Sequence, residues 1–209
     1  MRRLWQAFWR FFFRLLYNEF AWTYDLVAKI VSLGQWKDWG ITTIKHLEGK
    51  RVLELAHGPG HLLKAMAEPD RAPVGIDLSP YMGRLAQRRL GSVAPLVRAR
   101  AQALPFCDEC FDSAVSTFPT EFILAPAVWR EAARVLRSNG RLVIIAWAGL
   151  GGRDPLSRLI MLLYRVTGQG KSSLDMGAEA AARAGFTLHV VREQVGRSEV
   201  MLVVAQKAQ

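Results

Sequence analysis

Cysteine is scarce: Cys107 and Cys110 are the only two in 209 residues. Two thiols cannot staple a chain of this size. A disulfide-framed secreted fold is therefore excluded, and a reducing cytosol is the expected setting. Long apolar runs are missing as well. No stretch approaches the ~20 consecutive apolar residues of a membrane-spanning helix. Arg10 and Arg14 interrupt the apolar N-terminus, and no small-residue cleavage site follows, which argues against a signal peptide. Acidic residues are the third shortage, with 18 against 28 Lys and Arg and a formal charge of +10. Such a balance favours anionic partners: nucleic acid, an anionic membrane surface or an acidic substrate. It carries no information about fold, and its plainer reading is a solvated surface.

Apolar residues are plentiful, at 51% of the chain. The length suits one domain with a sizeable core. From Arg51 onward, short apolar runs alternate with helical patterns. The strand candidates are 51–56, 73–77, 96–99, 113–118, 141–146, 187–192 and 200–205. The helix candidates are 61–67, 81–90, 125–136, 155–167 and 174–184. Asn139-Gly140 and Gly185 are stop signals before strands. The order predicts an α/β fold, a doubly wound and mostly parallel seven-stranded sheet closed by a C-terminal antiparallel hairpin. Right-handed crossovers place its ligand crevice at the carboxyl ends of the first strands. Residues 1–45 are expected to form a helical N-terminal arm and residues 46–209 the main domain.

The first strand and its loop read Val52-Leu53-Glu54-Leu55-Ala56-His57-Gly58-Pro59-Gly60-His61. An acidic residue near the strand end and a Gly-x-Gly turn let backbone approach a ligand closely. Leu63 stands where a dinucleotide fingerprint needs its third glycine, so an NAD site is disfavoured. The second strand ends in Asp77, at the distance beyond the glycine turn where a carboxylate meets ribose hydroxyls. Further on come Leu104-Pro105-Phe106, Phe111-Asp112 and Arg134-Val135-Leu136, with Asn139-Gly140 after them.

In this order the motifs resemble the class I S-adenosylmethionine-dependent methyltransferases, over about residues 50–147. The resemblance implies S-adenosylmethionine as cofactor and a Rossmann-like methyltransferase fold. It implies that Glu54 holds the positively charged amino end of the methionine moiety. Ala56, His57, Gly58 and Gly60 would pass under the cofactor. Asp77 would take the ribose, Leu78 would lie against adenine, and Ala101 and Gln102 would flank the adenine edge. Thr117 and Phe118 would line the methyl-transfer pocket. Two positions depart from the family pattern: Ala56 replaces a usual glycine, and Arg100 stands where an aspartate meets the adenine amine. Arginine cannot accept that hydrogen bond, so Gln102 or a backbone carbonyl must substitute, or recognition is loose.

Glu121 and Thr120 are the candidates for a proton-accepting group, and Glu121 reads first as a helix-start acid. His57 and His61 have metal-pair spacing without a third ligand, so no metal is expected. Cys107 and Cys110 form half of a zinc or redox motif and are read as structural. In the arm, Arg3, Gln6, Arg10 and Arg14 recur at helical spacing among Trp and Phe residues. Residues 2–16 suit either an anionic membrane or partner surface, or a lid over the cofactor, with Tyr24-Asp25 near the arm's end. Leu156 to Val166, with Arg158 and Arg165, is a second such segment. Arg84, Arg88 and Arg89 cluster on one helix, and Arg130, Arg134, Arg137 and Arg141 on another; both read as solvated faces, and no sequence-specific nucleic-acid motif accompanies them. The expectation is a cytoplasmic enzyme that methylates a small or lipid-like acceptor, with a peripheral place on the inner membrane face as the reading that the basic aromatic arm suits. A non-catalytic methyltransferase-fold scaffold is the alternative.

Overall fold

The computed structural model describes residues 28–30, 32–67, 71–150 and 172–209. A short helix, α1 (Trp36–Ile41), runs into a 3-10 turn (Thr42–His46) and then β1 (Arg51–Leu55). Next come α2 (His61–Met66), β2 (Ala72–Asp77), α3 (Pro80–Leu90) and β3 (Leu96–Arg98). They are followed by β4 (Phe111–Thr117), a 3-10 turn (Glu121–Leu124), α4 (Pro126–Val135) and β5 (Leu136–Leu150). The chain closes with α5 (Ser172–Arg183), β6 (Phe186–Val195) and β7 (Ser198–Lys207).

All seven strands form one sheet in the order β3-β2-β1-β4-β5-β7-β6. The first five are parallel. The final hairpin inserts β7 antiparallel between β5 and β6. This is the predicted architecture. The chain winds outward from β1 to β3, then crosses back to β4 on the other side of β1. A crevice opens where the winding reverses, at the carboxyl ends of β1 and β4.

Alternation along the strands builds two cores. Leu53, Ala114 and Leu142 point into the layer that holds Trp129 and Ala181. Their neighbours Val52, Val115 and Val143 point into the layer that holds Trp39, Leu63 and Met66. A period of two with both faces apolar is what a sheet covered on both sides requires. Local signals set the helix ends. Ser79 Oγ accepts from the Met82 N–H at 3.3 Å and Pro80 opens α3. Gly185, at φ +85°, follows the end of α5 as expected.

The last three strands run longer than expected, and the largest change is at β5, expected at 141–146 and observed at Leu136–Leu150. Leu136, read as the end of a helix, is already extended as the first residue of β5 and pairs with Phe111 of β4. Asn139, at φ +61°, lies inside β5 where the register shifts, so Asn139-Gly140 makes a bulge rather than a turn before the strand. Lys207 Nζ donates to the Leu136 carbonyl at 2.6 Å, a tertiary tie that helical periodicity does not register. The expected helix 155–167, residues 2–16, Tyr24-Asp25, and Arg158 and Arg165 lie outside the described residues.

Candidate functional site

A cavity of about 620 Å³ occupies the predicted crevice. Its floor is the β1 loop. Ala56 (φ +58°) and Gly58 (φ +53°) both adopt left-handed backbone, as does Gly60 (φ +78°). Ala56 is strained there, because only glycine takes this conformation without penalty. Gly58 has no described atom within 4 Å of where a Cβ would stand, so its bare backbone faces open space. Gly60 acts differently. It does not line the cavity, and a Cβ there would press on Ala86 at 3.0 Å. Its absent side chain lets the loop pack against α3.

Glu54 lines the floor with its side chain buried at 1% exposure, and its Oε2 has no hydrogen-bond partner. Burial pushes its carboxyl well above the ordinary carboxylate range; the nearby charge of Asp77 adds to this, and the Leu63 backbone N–H opposes it. An unpaired buried carboxylate oxygen is costly unless something cationic completes it. Asp77 is positioned more comfortably. Its Oδ2 accepts from the Gly58 N–H at 2.9 Å and its Oδ1 from the Ser79 N–H at 2.8 Å. Each oxygen keeps a lone pair for a further donor. Leu78, 55% exposed, offers an apolar face beside it.

His57 is buried under the loop. Its Nδ1 lies 2.7 Å from the Gly58 carbonyl, which can only accept, so Nδ1 carries the proton. Burial holds the imidazole below its ordinary pKa, against the opposing pull of Asp77. Gly75 on β2 is bare because a Cβ would meet Leu63 Cδ1 at 2.5 Å and His57 Cδ2 at 2.9 Å. Among the described residues no three His, Cys, Asp or Glu side chains gather as a metal site.

Ala101, Gln102, Thr117 and Phe118 all line the cavity, as does Arg100. Thr120 lines it too, whereas Glu121 is exposed and outside the wall. Phe118 is held at φ +49°, and a bulky residue in that region is strained. Its ring stacks on Trp36 at 4.3 Å between centroids. Trp36, Lys37, Gly40 and Ile41 of α1 form a wall that sequence reasoning did not single out. A glycine inside a helical run was the available signal.

The donor set suits a ligand with a cation at one end, paired hydroxyls in the middle and a flat ring at the other. S-adenosylmethionine has that chemistry. Residues 53–144 match the family described as Methyltransferase domain. The demethylmenaquinone methyltransferase of Thermus thermophilus is 32% identical over 162 residues, covering 72% of this chain and 70% of that protein. The chain belongs to the class I S-adenosylmethionine-dependent methyltransferases. Another methyltransferase relative, the ubiquinone/menaquinone biosynthesis C-methyltransferase of Syntrophotalea carbinolica, is 32% identical over 73% of this chain and 66% of its own length. The chain spans 59–70% of the length of four such curated relatives. Geranyl diphosphate C-methyltransferase from Streptomyces coelicolor, solved with S-adenosyl-L-homocysteine, shares the methyltransferase fold at a TM-score of 0.64 and 14% identity, over 89% of this chain and 84% of that one.

Several residues outside the cavity are structural ties. Arg134 donates to the carbonyls of Leu104 (2.9 Å) and Phe106 (2.7 Å) and pairs with Glu131 and Asp108. Arg137 pairs with Asp112 and Arg141 with Glu48. These arginines, read from sequence as a solvated face, are occupied within the fold. Arg84 lies over the Tyr81 ring at 4.4 Å. Cys110 Sγ donates to the Cys107 carbonyl at 2.9 Å, and burial pushes its thiol up.

Proposed function

We propose that this chain transfers a methyl group from S-adenosylmethionine to a small or lipid-like acceptor, with quinone-type rings the first class to test. The buried, unpaired Oε2 of Glu54 carries the reading, because an ammonium is the group that would complete it. Asp77 would accept the ribose hydroxyls, and adenine would cover Leu78. Gln102 supplies the acceptor oxygen that Arg100 cannot. The cofactor supplies an activated methyl on a sulfonium. The acceptor's electron pair forms the new bond to that methyl as the sulfur–carbon bond breaks toward sulfur, and the acceptor releases a proton. The protein's part is to align the two and exclude water. Two curated relatives act, by name, on demethylmenaquinone and in ubiquinone/menaquinone biosynthesis, which supports a quinone-type acceptor.

Calorimetry with S-adenosylhomocysteine tests this, with NADH as the control. Wild type should bind the nucleoside and ignore NADH. Asp77→Asn should weaken binding by about ten- to a hundredfold, the worth of hydrogen bonds to a charged group. Absence of binding by folded wild type would favour the non-catalytic scaffold, which Arg100 in the cavity wall and the want of an assigned base support.

A further inference from the structure

Helix α1 presents Trp36 with Gly40, and Lys37 with Ile41, to the cavity, each pair one turn apart. Gly40 has no backbone need to be glycine, since its φ lies outside the left-handed region. Alanine would suit a helix better. It is buried, yet no described atom lies within 4 Å of where its Cβ would stand. The bare backbone is therefore open to the cavity, at a level where Trp36 is already stacked on Phe118. Ile41, 46% exposed, and Phe122 complete an apolar surround.

Lys37 stands at the mouth of this wall. Other basic side chains of the fold are less free. Lys45 is paired with Glu193, and Arg134, Arg137 and Arg141 each hold a carboxylate. No described acidic side chain pairs with Lys37. The acidic residues of the cavity, Glu54 and Asp77, belong to the cofactor end. Arg98 and Arg100 also line the cavity, and Arg98 Nε donates to the Leu78 carbonyl at 3.1 Å, away from the α1 wall. One cation on an apolar, aromatic wall suits a flat ring with one ionised oxygen. A diphosphate would need several cations together.

We infer that the Trp36–Ile41 face of α1 seats the acceptor ring across Gly40, and that the Lys37 ammonium selects acceptors carrying an ionised ring oxygen. The inference rests on the methyltransferase reading. Its probes are a hydroxynaphthoquinone that is anionic at neutral pH and its neutral methoxy counterpart. Each is titrated by tryptophan fluorescence into the full chain saturated with S-adenosylhomocysteine. Wild type should prefer the anion by about tenfold, the scale of one charge-assisted contact at a partly exposed site. Lys37→Met should erase the preference and Lys37→Arg keep it. Gly40→Ala should weaken both probes about tenfold, leave S-adenosylhomocysteine binding intact and raise the melting temperature. The inference is overturned by a preference that survives in Lys37→Met, or by Gly40→Ala that leaves both probes unchanged or lowers the melting temperature. Wild type that binds S-adenosylhomocysteine but does not discriminate the probes overturns the Lys37 selection and leaves the methyltransferase reading standing. Wild type that binds no S-adenosylhomocysteine overturns the methyltransferase reading with it.

Discussion

Glu54 sets stability against binding at a single residue. Its carboxyl is buried with one oxygen unpaired, and burial first, then Asp77, pushes its ionisation upward. An unfolded glutamate loses its proton at the ordinary value of roughly 4.3. The folded chain keeps that proton to higher pH. Between the two values the folded state binds more protons, so the ligand-free protein loses stability as pH rises through that window. Glu54→Gln keeps the shape and removes the charge. Its urea midpoint should gain on wild type as pH is raised from about 5 to 8. The same variant should bind S-adenosylhomocysteine about ten- to a hundredfold more weakly, because the ammonium loses its ionised partner. A variant that binds as tightly as wild type would take the ammonium away from Glu54.

At the scale of elements, the ties between segments decide where the cavity walls stand. The stretch from Leu104 to Asp108 has no regular structure, yet Glu131 and Arg134 of α4 grip it. Glu131 Oε2 accepts from the Leu104 N–H at 2.6 Å, and the Arg134 fork spans two carbonyls and two carboxylates. Arg134→Lys replaces a planar fork with a point charge and leaves carbonyls unsatisfied. Thermal or urea unfolding should show a loss of roughly 1–3 kcal/mol. An unchanged midpoint would mean that the stretch is held by Phe106 and Phe111 packing instead. These ties also show what a single sequence conveys. Period-two strands, glycine turns and acidic strand ends are local signals, so the sheet and the loop and strand-end residues that line the cavity were legible. Leu136 was misread because its apolar spacing fits helix α4 equally well, and only its pairing with Phe111 makes it a strand. The α1 wall was missed for a related reason. It reaches the cavity through contacts distant in sequence, Trp36 on Phe118 and Gln35 with Ser198, which no spacing rule reveals.

For the molecule as a whole, the question is where its excess charge acts. Among the described residues many basic side chains are already paired, including Lys45, Arg134, Arg137, Arg141, Arg183 and Arg192. Segments 1–27 and 151–171 hold eight of the 28 basic residues and three of the acidic ones. The first of them also carries Trp5, Trp9, Phe8, Phe11, Phe12 and Phe13. No described helix is long and apolar enough to cross a membrane. Aromatics interleaved with arginines are suited to an anionic interface. If the arm meets such an interface, each arginine there would contribute about 1 kcal/mol, and neutralising Arg3, Arg10 and Arg14 together to glutamine should weaken vesicle binding about a hundredfold. The measurement is sedimentation of the full chain with phosphatidylserine-containing vesicles, beside neutral ones and at raised salt. Binding should need the anionic lipid and fade with salt, because exposed charges are screened over roughly 10 Å at 0.1 M. S-adenosylhomocysteine binding should be the same in the triple glutamine variant, which separates a surface role from a lid role. A variant that sediments like wild type but loses the nucleoside would assign the arm to the cavity and leave the charge surplus to solvent.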